Sequence, residues 1–551
     1  MRALVSSFRP LHLARASTLA LLFACSGNDD TVLENAGVEG PTVEGATVDG
    51  SASDTAEPSL GDMQASELDG YIEEAMRRYQ VPGTALAIVR GSDVVYQGTF
   101  GVRGVDDPRP ITPDTRFAVG SVTKPMTTLM AATLVDDGEL SWDARATDVL
   151  PAFALSDPAS TPRIRVRDLF NGTSGVPRFD TPFMVHAFTP TELVSLVETI
   201  PTVAPPGDVF GYSNAMVSVG GYLAAVAAGA PYDDAGLTST YTRLMQDRIF
   251  SPIGMSDTTL DIDAALAAPD HAWPHSFDGA RGAMVQTPIE VERFSSSVRP
   301  AGGAWSSLRD MAAYASTQLS GVAPNGNRVV SRASLEQTHT QEIAELPSGE
   351  WPTADREGAG YAMGWFTMAD YRGLRALSHD GNTMGFTAEV FLLPDADIAV
   401  VVLCNRAMAN AFYGAVEQYA IETVLGLEHR GDELQAAQDQ GLLDLFQSIG
   451  SGSVAVSREE AEPYLGSYDY GTRVDFTEAG FTLSTDFAPI PLSAHPDFGL
   501  FVRSGELTGM TVAAFDATSA PAQVTLGIPG GEGLSQPFVL RRLSSPRGPA
   551  F

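Results

Sequence analysis

A serine and a lysine three residues apart carry the first chemical signal in the sequence. Ser121 and Lys124 open a predicted helix over residues 121–137. This spacing places both side chains on one helix face, where the helix N-terminus favours negative charge beside the serine oxygen. A desolvated amine there can lose its proton and act as a base, which an arginine cannot do. S-x-x-K is a common pattern, but 33 of the 34 basic residues here are arginine, and Lys124 is the only lysine.

A second group of polar residues follows in Gly211-Tyr212-Ser213-Asn214. The hydroxyl of Tyr212, if it meets the serine and the lysine, can relay a proton to and from the nucleophile. The side chain of Asn214 can hydrogen-bond both the lysine and a substrate amide. Taken alone, this segment also fits a turn followed by a helix N-cap.

The third group is His379-Asp380-Gly381-Asn382, at the edge of a predicted strand. Gly381 lets the backbone approach a bound acyl group closely. The N–H of Asn382, together with that of Ser121, could polarise a carbonyl as an oxyanion hole. His379 would add a cation or a hydrogen-bond donor near the site.

Hydrophobic periodicity predicts a mixed α and β body around these groups. The predicted helices are residues 68–79, 121–137, 215–227 and 309–319, and the predicted strands are 84–89, 94–96, 388–393 and 398–403. A polar helical stretch, 432–449, leads to Gly450-Ser451-Gly452-Ser453, whose composition predicts a linker. From residue 462 onward, short alternating segments predict a small all-β domain.

The N-terminus has the pattern of an export signal. Its apolar run, residues 16–24, is too short to span a bilayer. Leu22-Phe23-Ala24-Cys25 resembles a bacterial lipobox, so we expect a lipoprotein signal peptide over 1–24 and lipidation at Cys25. The alternative is a plain secreted protein with an incidental cysteine. The following segment, 25–62, has no basic residue and predicts a flexible acidic tether.

Composition excludes several classes of function. The formal charge of −34 disfavours nucleic acids and anionic membrane surfaces as partners. The hydrophobic fraction of 44% indicates a folded body. No metal-ligand spacing, phosphate-binding glycine loop or G-x-S-x-G elbow occurs, so we expect no metal and no cofactor.

Taken together and in this order, the three groups resemble the penicillin-recognising serine hydrolases of the class C β-lactamase and D,D-peptidase type. The resemblance covers about residues 64–430. It includes framework segments starting at Asn171, Phe250, Pro300 and Tyr361. It implies an α+β fold over 63–430, with an antiparallel sheet flanked by helices and an all-helical lobe. A helical linker, 431–461, and a small all-β C-terminal domain, 462–551, would follow.

The resemblance also assigns roles to the chemical residues. Ser121 would be the nucleophile, Lys124 its activating base and Tyr212 the proton relay. The N–H groups of Ser121 and Asn382 would form the oxyanion hole. The expected cycle is acylation of Ser121, release of an amine or alcohol, and attack by water on the ester.

The substrate-binding residues implied by the resemblance are Asn214, His379 and Gly381. Class C β-lactamases carry a lysine where this chain has His379, and that lysine presents a fixed positive charge to a substrate carboxylate. Histidine versions are typical of D-amino-acid peptidases and esterases. The change therefore argues against strong β-lactamase activity.

We therefore expect a serine hydrolase of the bacterial cell envelope that acts on D-amino-acid peptides or cell-wall fragments. The alternatives are a carboxylesterase or weak β-lactamase of the same fold, and a catalytically idle envelope protein whose cleft binds a peptide. The intact set of Ser121, Lys124 and Tyr212 argues against the idle protein. The expected partner is a small-molecule or peptide substrate, with no nucleic acid, and with membrane contact only through a lipid on Cys25.

Overall fold

The structure is a computed structural model that describes residues 59–343, 346, 358–478, 480–495, 500–503, 512–516, 523–527 and 538–543. The predicted signal peptide, Cys25 and nearly all of the predicted tether lie outside the described residues. Among the helices of the described part, none combines the length and the apolar character that crossing a bilayer requires.

Within the described residues, twelve strands precede the C-terminal β region, together with ten α-helices of at least six residues each. The strands are β1 Gly83–Arg90, β2 Asp93–Gly104, β3 Asp107–Pro110, β4 Phe117–Ala118, β5 His275–Asp278, β6 Ala283–Gln286, β7 Trp305–Ser306, β8 Ala359–Tyr361, β9 Phe366–Tyr371, β10 Leu374–Asn382, β11 Thr387–Leu393 and β12 Ile398–Cys404. The α-helices are α1 Asp62–Arg78, α2 Thr123–Asp136, α3 Pro190–Val197, α4 Asn214–Ala227, α5 Asp234–Met245, α6 Ile262–Ala267, α7 Leu308–Ser320, α8 Arg332–His339, α9 Asn410–Leu425 and α10 Glu433–Gly452.

Eight of these strands form one antiparallel sheet, in the order β3-β2-β1-β12-β11-β10-β9-β8. Along β1, Ala85 and Ala87 belong to one core and Leu86 and Ile88 to the other. Successive side chains of a strand point to opposite faces, so both faces of this sheet are buried. Helices α1 and α9 cover the Leu86 face, while α2 and α7 belong to the opposite core. The predicted antiparallel sheet flanked by helices is confirmed.

A helical lobe lies between β3 and β8 in the chain and contains α2 to α6. Its central helix, α2, is buried on every side from Thr123 to Leu134. Such a helix belongs inside a large core rather than on a surface. A 3-10 turn, Gly120–Val122, comes directly before α2, so the predicted 121–137 helix begins as a 3-10 turn.

The region predicted as a helical linker, 431–461, contains α10, which runs through Gly452. Helix α10 packs onto the preceding fold. The Arg406 guanidinium, fully buried, lies 2.7 Å from Asp439 of α10, and Phe446 packs against Phe277 of β5.

The C-terminal region contains a second antiparallel sheet of eight strands. They are β13 Gly466–Ser467, β14 Arg473–Thr477, β15 Gly480–Ser484, β16 Ile490–His495, β17 Leu500–Arg503, β18 Val512–Asp516, β19 Gln523–Gly527 and β20 Phe538–Arg541, each paired with the next. The last strand also returns to the first, because Leu543 N–H donates to the Ser467 carbonyl at 2.8 Å and Asp469 N–H to the Arg541 carbonyl at 3.0 Å. The sheet therefore closes into a barrel.

Candidate active site

Two short strands place the serine. Strands β4 and β7 pair just before the 3-10 turn, and the Val119 N–H donates to the Ala304 carbonyl at 3.0 Å. The Thr123 hydroxyl donates to the Gly120 carbonyl and accepts from the Ala304 N–H. These bonds tie the turn that carries Ser121 to a neighbouring loop from both sides.

Ser121 and Lys124 meet as their spacing predicts. The Lys124 Nζ lies 2.8 Å from the Ser121 Oγ and 2.9 Å from the carbonyl oxygen of Ala301. Lys124 is fully buried in α2, whereas Ser121 is half-buried. The amine is therefore oriented by two oxygens and aimed at a hydroxyl that a ligand can reach.

Burial lowers the pKa of Lys124 to about 7. The negative charges of Asp180 and Asp380 raise this pKa and the charge of Arg178 lowers it, but loss of hydration has the largest effect. An amine with this pKa is largely deprotonated slightly above neutrality and can then accept the serine proton.

Tyr212 completes the predicted cluster. The Lys124 Nζ lies 4.7 Å from the centre of its ring, and the Tyr212 hydroxyl interacts with Ser121. Burial raises the pKa of Tyr212 far above its ordinary value, although the bond to Ser121 opposes this effect. The phenol therefore keeps its proton near neutrality and is suited to donate it, while Lys124 is suited to accept one.

His379 lies beside this cluster in β10, fully buried among the rings of Tyr212, Tyr361 and Phe366. Burial, aided by the Lys124 charge, lowers the pKa of His379 to about 3. Its Nδ1 lies 2.6 Å from the Asp380 carbonyl, which accepts only, so we assign the proton to Nδ1. The Nε2 is then an acceptor, 3.5 Å from the Tyr361 hydroxyl. This environment favours the neutral ring over the cation, and its Nδ1 proton is directed at the Asp380 carbonyl.

The backbone of β10 packs closely against the turn that carries Ser121. A methyl group on Gly381 would lie 2.0 Å from the Val119 carbonyl oxygen and 2.9 Å from the Ser121 nitrogen. Gly120, at φ +50°, lies close to the Asn382 nitrogen, which a methyl group on Gly120 would meet at 3.1 Å. The segments that carry the two predicted oxyanion-hole N–H groups therefore pack directly against each other.

Asn214 lies at the start of α4, and its amide donates to Asp180 Oδ1 at 2.8 Å. Asp180 also accepts at Oδ2 from the Arg178 Nε, at 2.6 Å. The Arg178 guanidinium lies over the Tyr212 ring, 5.3 Å from its centre. The sequence reasoning had assigned no role to Arg178 or Asp180. Both residues lie just beyond the framework segment that starts at Asn171, and their residue types alone give no functional signal.

The Ala301 carbonyl is a further contact that sequence reasoning missed, since a backbone oxygen leaves no residue-type signature. It belongs to the framework segment starting at Pro300. Across the part of the chain that the structure describes, no three His, Cys, Asp or Glu side chains group as metal ligands would.

Comparison with known sequences gives a consistent family. The family profile described as Beta-lactamase matches residues 68–424. An unguisins hydrolase of Aspergillus campestris is 26% identical, over 65% of this chain and 65% of its own. Penicillin-binding protein 4 of Amycolatopsis lactamdurans is 28% identical, over 62% and 85%. The D-aminopeptidase of Brucella anthropi is 24% identical, over 78% and 70%.

A solved structure extends the similarity in fold. The octameric penicillin-binding protein homologue from Pyrococcus abyssi superposes with a TM-score of 0.57 at 21% identity, covering 87% of this chain and all of that one. The family profile alone covers well over half of the chain, and the fold and the Ser121–Lys124 cluster agree with it. This chain belongs to the beta-lactamase family, and it is a serine hydrolase.

Proposed function

We propose that the protein hydrolyses D-amino-acid peptides, cell-wall fragments or related amides and esters through an acyl-Ser121 intermediate. The observation that carries this proposal is the buried Lys124 amine, 2.8 Å from the Ser121 hydroxyl. The D-aminopeptidase relative supports the choice of substrate class.

The proposed acylation step uses Lys124 as a base and Tyr212 as an acid. The Ser121 Oγ bonds to the substrate carbonyl carbon while its proton passes to the neutral Lys124 amine. The N–H groups of Ser121 and Asn382 stabilise the oxyanion. The Tyr212 hydroxyl donates its proton to the leaving nitrogen as the C–N bond breaks, and Lys124 returns a proton to Tyr212. Water then attacks the acyl carbon and gives a proton to the neutral Lys124 amine. The bond between this carbon and Ser121 Oγ breaks, and Lys124 passes the proton to the serine oxygen.

A second candidate, a carboxylesterase, is favoured by the state of His379. The pKa of this ring, lowered to about 3, leaves no charge where the related enzymes use a lysine for a substrate carboxylate. A substrate that has no carboxylate at that position would bind equally well without this positive charge. A small ester therefore ranks directly behind a D-amino-acid amide.

Labelling of Ser121 tests the proposed chemistry. A fluorophosphonate or fluorescent penicillin should label the intact chain once, and mass spectrometry should place the adduct on Ser121. Ser121→Ala is the matched control and should remain unlabelled. Equal labelling of both chains would refute the acyl-Ser121 intermediate and favour the idle peptide-binding protein.

A substrate panel then separates the candidates. D-Alanine p-nitroanilide, a D-Ala-D-Ala peptide, a p-nitrophenyl ester and a chromogenic cephalosporin should be compared by kcat/KM. The proposal expects a D-amino-acid amide or peptide to lead, whereas an ester in first place would favour the carboxylesterase. Turnover of the cephalosporin faster than all others by a wide margin would contradict both.

We also propose that the protein is exported and lipid-anchored at Cys25, as the lipobox-like segment suggests. Radiolabelled palmitate should be incorporated by the native chain and lost in Cys25→Ser. Secretion of an unlabelled native chain would contradict the anchor.

A further inference from the structure

One loop of the helical lobe forms a wall of the active site. Arg178 lies over the Tyr212 ring and donates to Asp180, which in turn holds the amide of Asn214. Two residues of the proposed site, Tyr212 and Asn214, therefore depend on where this segment lies. The wall has little regular structure of its own, because its helical part is a single 3-10 turn, Thr181–Met184.

The far end of the same segment is held by the C-terminal barrel. The Asp486 Oδ2 accepts from the Ala187 N–H at 3.0 Å and lies 2.7 Å from His186 Nδ1. In return, the Asp486 N–H donates to the Val185 carbonyl at 3.2 Å. One barrel residue thus bonds to the backbone of Val185 and Ala187, and its carboxylate lies beside the ring of His186 between them.

Apolar packing reinforces this contact. Val185 is buried within the core of the barrel rather than that of the helical lobe. The Tyr470 ring lies 5.6 Å from the rings of both His186 and Phe188. A segment whose side chain fills another domain's core cannot shift without disturbing that core.

Asp486 itself lies in a rigid turn. The Thr485 hydroxyl accepts from the N–H groups of Phe487 and Ala488 and donates to the Ala488 carbonyl at 2.7 Å. The carboxylate is therefore presented from a turn that its own hydrogen bonds hold in shape.

We propose that Asp486 is a positioning residue, through which the barrel holds the Arg178–Asp180 wall and so sets how tightly substrate binds against Tyr212 and Asn214. The inference rests on the proposed function, because it concerns the same site. It assigns the barrel a role in substrate binding that neither the fold nor the family membership specifies.

The test compares Asp486→Ala with Asp486→Asn in the full chain. Alanine removes the acceptor for the Ala187 N–H, whereas asparagine keeps an oxygen that can accept it. We expect alanine to raise KM for the fastest substrate of the panel roughly tenfold, a size typical of coupled contacting residues, and asparagine to restore most of the loss. Labelling of Ser121 by the small fluorophosphonate should stay within about twofold, because that probe is too small to need the wall.

A matched barrel variant controls for general damage. Asp475→Ala removes a carboxylate that pairs with Arg473 inside the barrel, and it should leave KM unchanged.

Three outcomes would overturn the inference: an unchanged KM in Asp486→Ala, an equal KM rise in Asp475→Ala, or parallel losses of labelling and substrate turnover. Failure of the native chain to label at Ser121 would instead refute the proposed function. The two failures are therefore distinguishable.

Discussion

Burial acts in opposite directions on Lys124 and Tyr212, because the ammonium is the charged form of one and the phenolate the charged form of the other. Loss of hydration disfavours charge, so it lowers the pKa of Lys124 to about 7 and raises that of Tyr212. The same apolar surroundings thus leave Lys124 able to accept a proton and keep Tyr212 protonated, although the two groups are neighbours. Two identical groups would have their pKa values shifted in the same direction.

Lys124→Arg tests whether the shiftable amine is what the site needs. The guanidinium keeps the charge but does not deprotonate in this pH range, so acylation of Ser121 should fall by roughly 10²–10⁴-fold. Labelling rates with a fluorescent penicillin measure the effect, and thermal melting shows whether the variant is folded. A folded arginine variant that acylates at the native rate would make the lone lysine incidental.

The pH dependence of acylation follows from the sign of the Lys124 shift. The neutral amine is the acceptor, and it predominates above the lowered pKa of about 7. The acylation rate should therefore fall about tenfold per pH unit below neutrality and level off above it. Labelling rates measured between about pH 5 and pH 9 would show both the fall and the plateau. A plateau that extends to about pH 5 would contradict Lys124 as the base.

Among the site residues, those with a distinctive type and order could be predicted from the sequence, but the environment of each side chain could not. Ser121, Lys124 and Tyr212 could be predicted because their types and order are distinctive. Arg178 and Asp180 could not, since arginine and aspartate are common here and a loop has no periodicity that would aim them. The neutral state of His379 depends on three surrounding rings from distant segments, which no local pattern reveals.

Among the elements, β10 and the turn before α2 have the tightest fit. Gly381 faces the Val119 carbonyl and the Ser121 nitrogen with no room for a side chain. Glycine at position 381 therefore allows the close approach of the two segments that carry the predicted oxyanion-hole N–H groups.

Gly381→Ala should separate the strand from the serine turn. The added methyl would lie 2.0 Å from a backbone oxygen, so one of the two backbones must move. Acylation should fall about 10²-fold, the effect of a misplacement near 1 Å. Gly414→Ala is the control, because a methyl there, in α9, meets nothing within 4 Å. Native labelling rates in Gly381→Ala would show that the close approach is unnecessary.

Most of the predicted helices and strands lie close to their observed bounds because their periodicity is strong. Helix α1, however, begins six residues before its predicted start, and β2 continues eight residues beyond its predicted end. The eight-stranded barrel was predicted only as a small all-β domain. Its closure depends on the return of residues 541–543 to 467–469, a contact more than seventy residues apart in sequence. Alternating polarity marks strands but does not state which strands pair.

Across the whole molecule, α10 joins the helical and sheet layers to the barrel. Its Asp439 neutralises Arg406, a guanidinium that is otherwise sealed in the core. Glycine and serine around residue 450 suggested a linker, but the helix continues through them because Gly450 packs against the backbone of Gly279. Composition alone could not reveal this tertiary contact.

Asp439→Ala should destabilise the protein strongly, because it leaves a buried charge without its partner. We expect a loss of about 3–5 kcal/mol in the free energy of unfolding, measured with denaturant. Glu74→Ala removes the partner of Arg77 in an exposed pair and should cost less than about 1 kcal/mol. Similar losses in the two variants would contradict the structural role given to α10.

The single lysine has a spectroscopic consequence. A chain grown with ¹⁵N-labelled lysine carries one labelled side-chain nitrogen, at Lys124, and the other 33 basic side chains remain invisible. The protonation of the proposed base can therefore be followed by its own nitrogen resonance, with no assignment and no substrate.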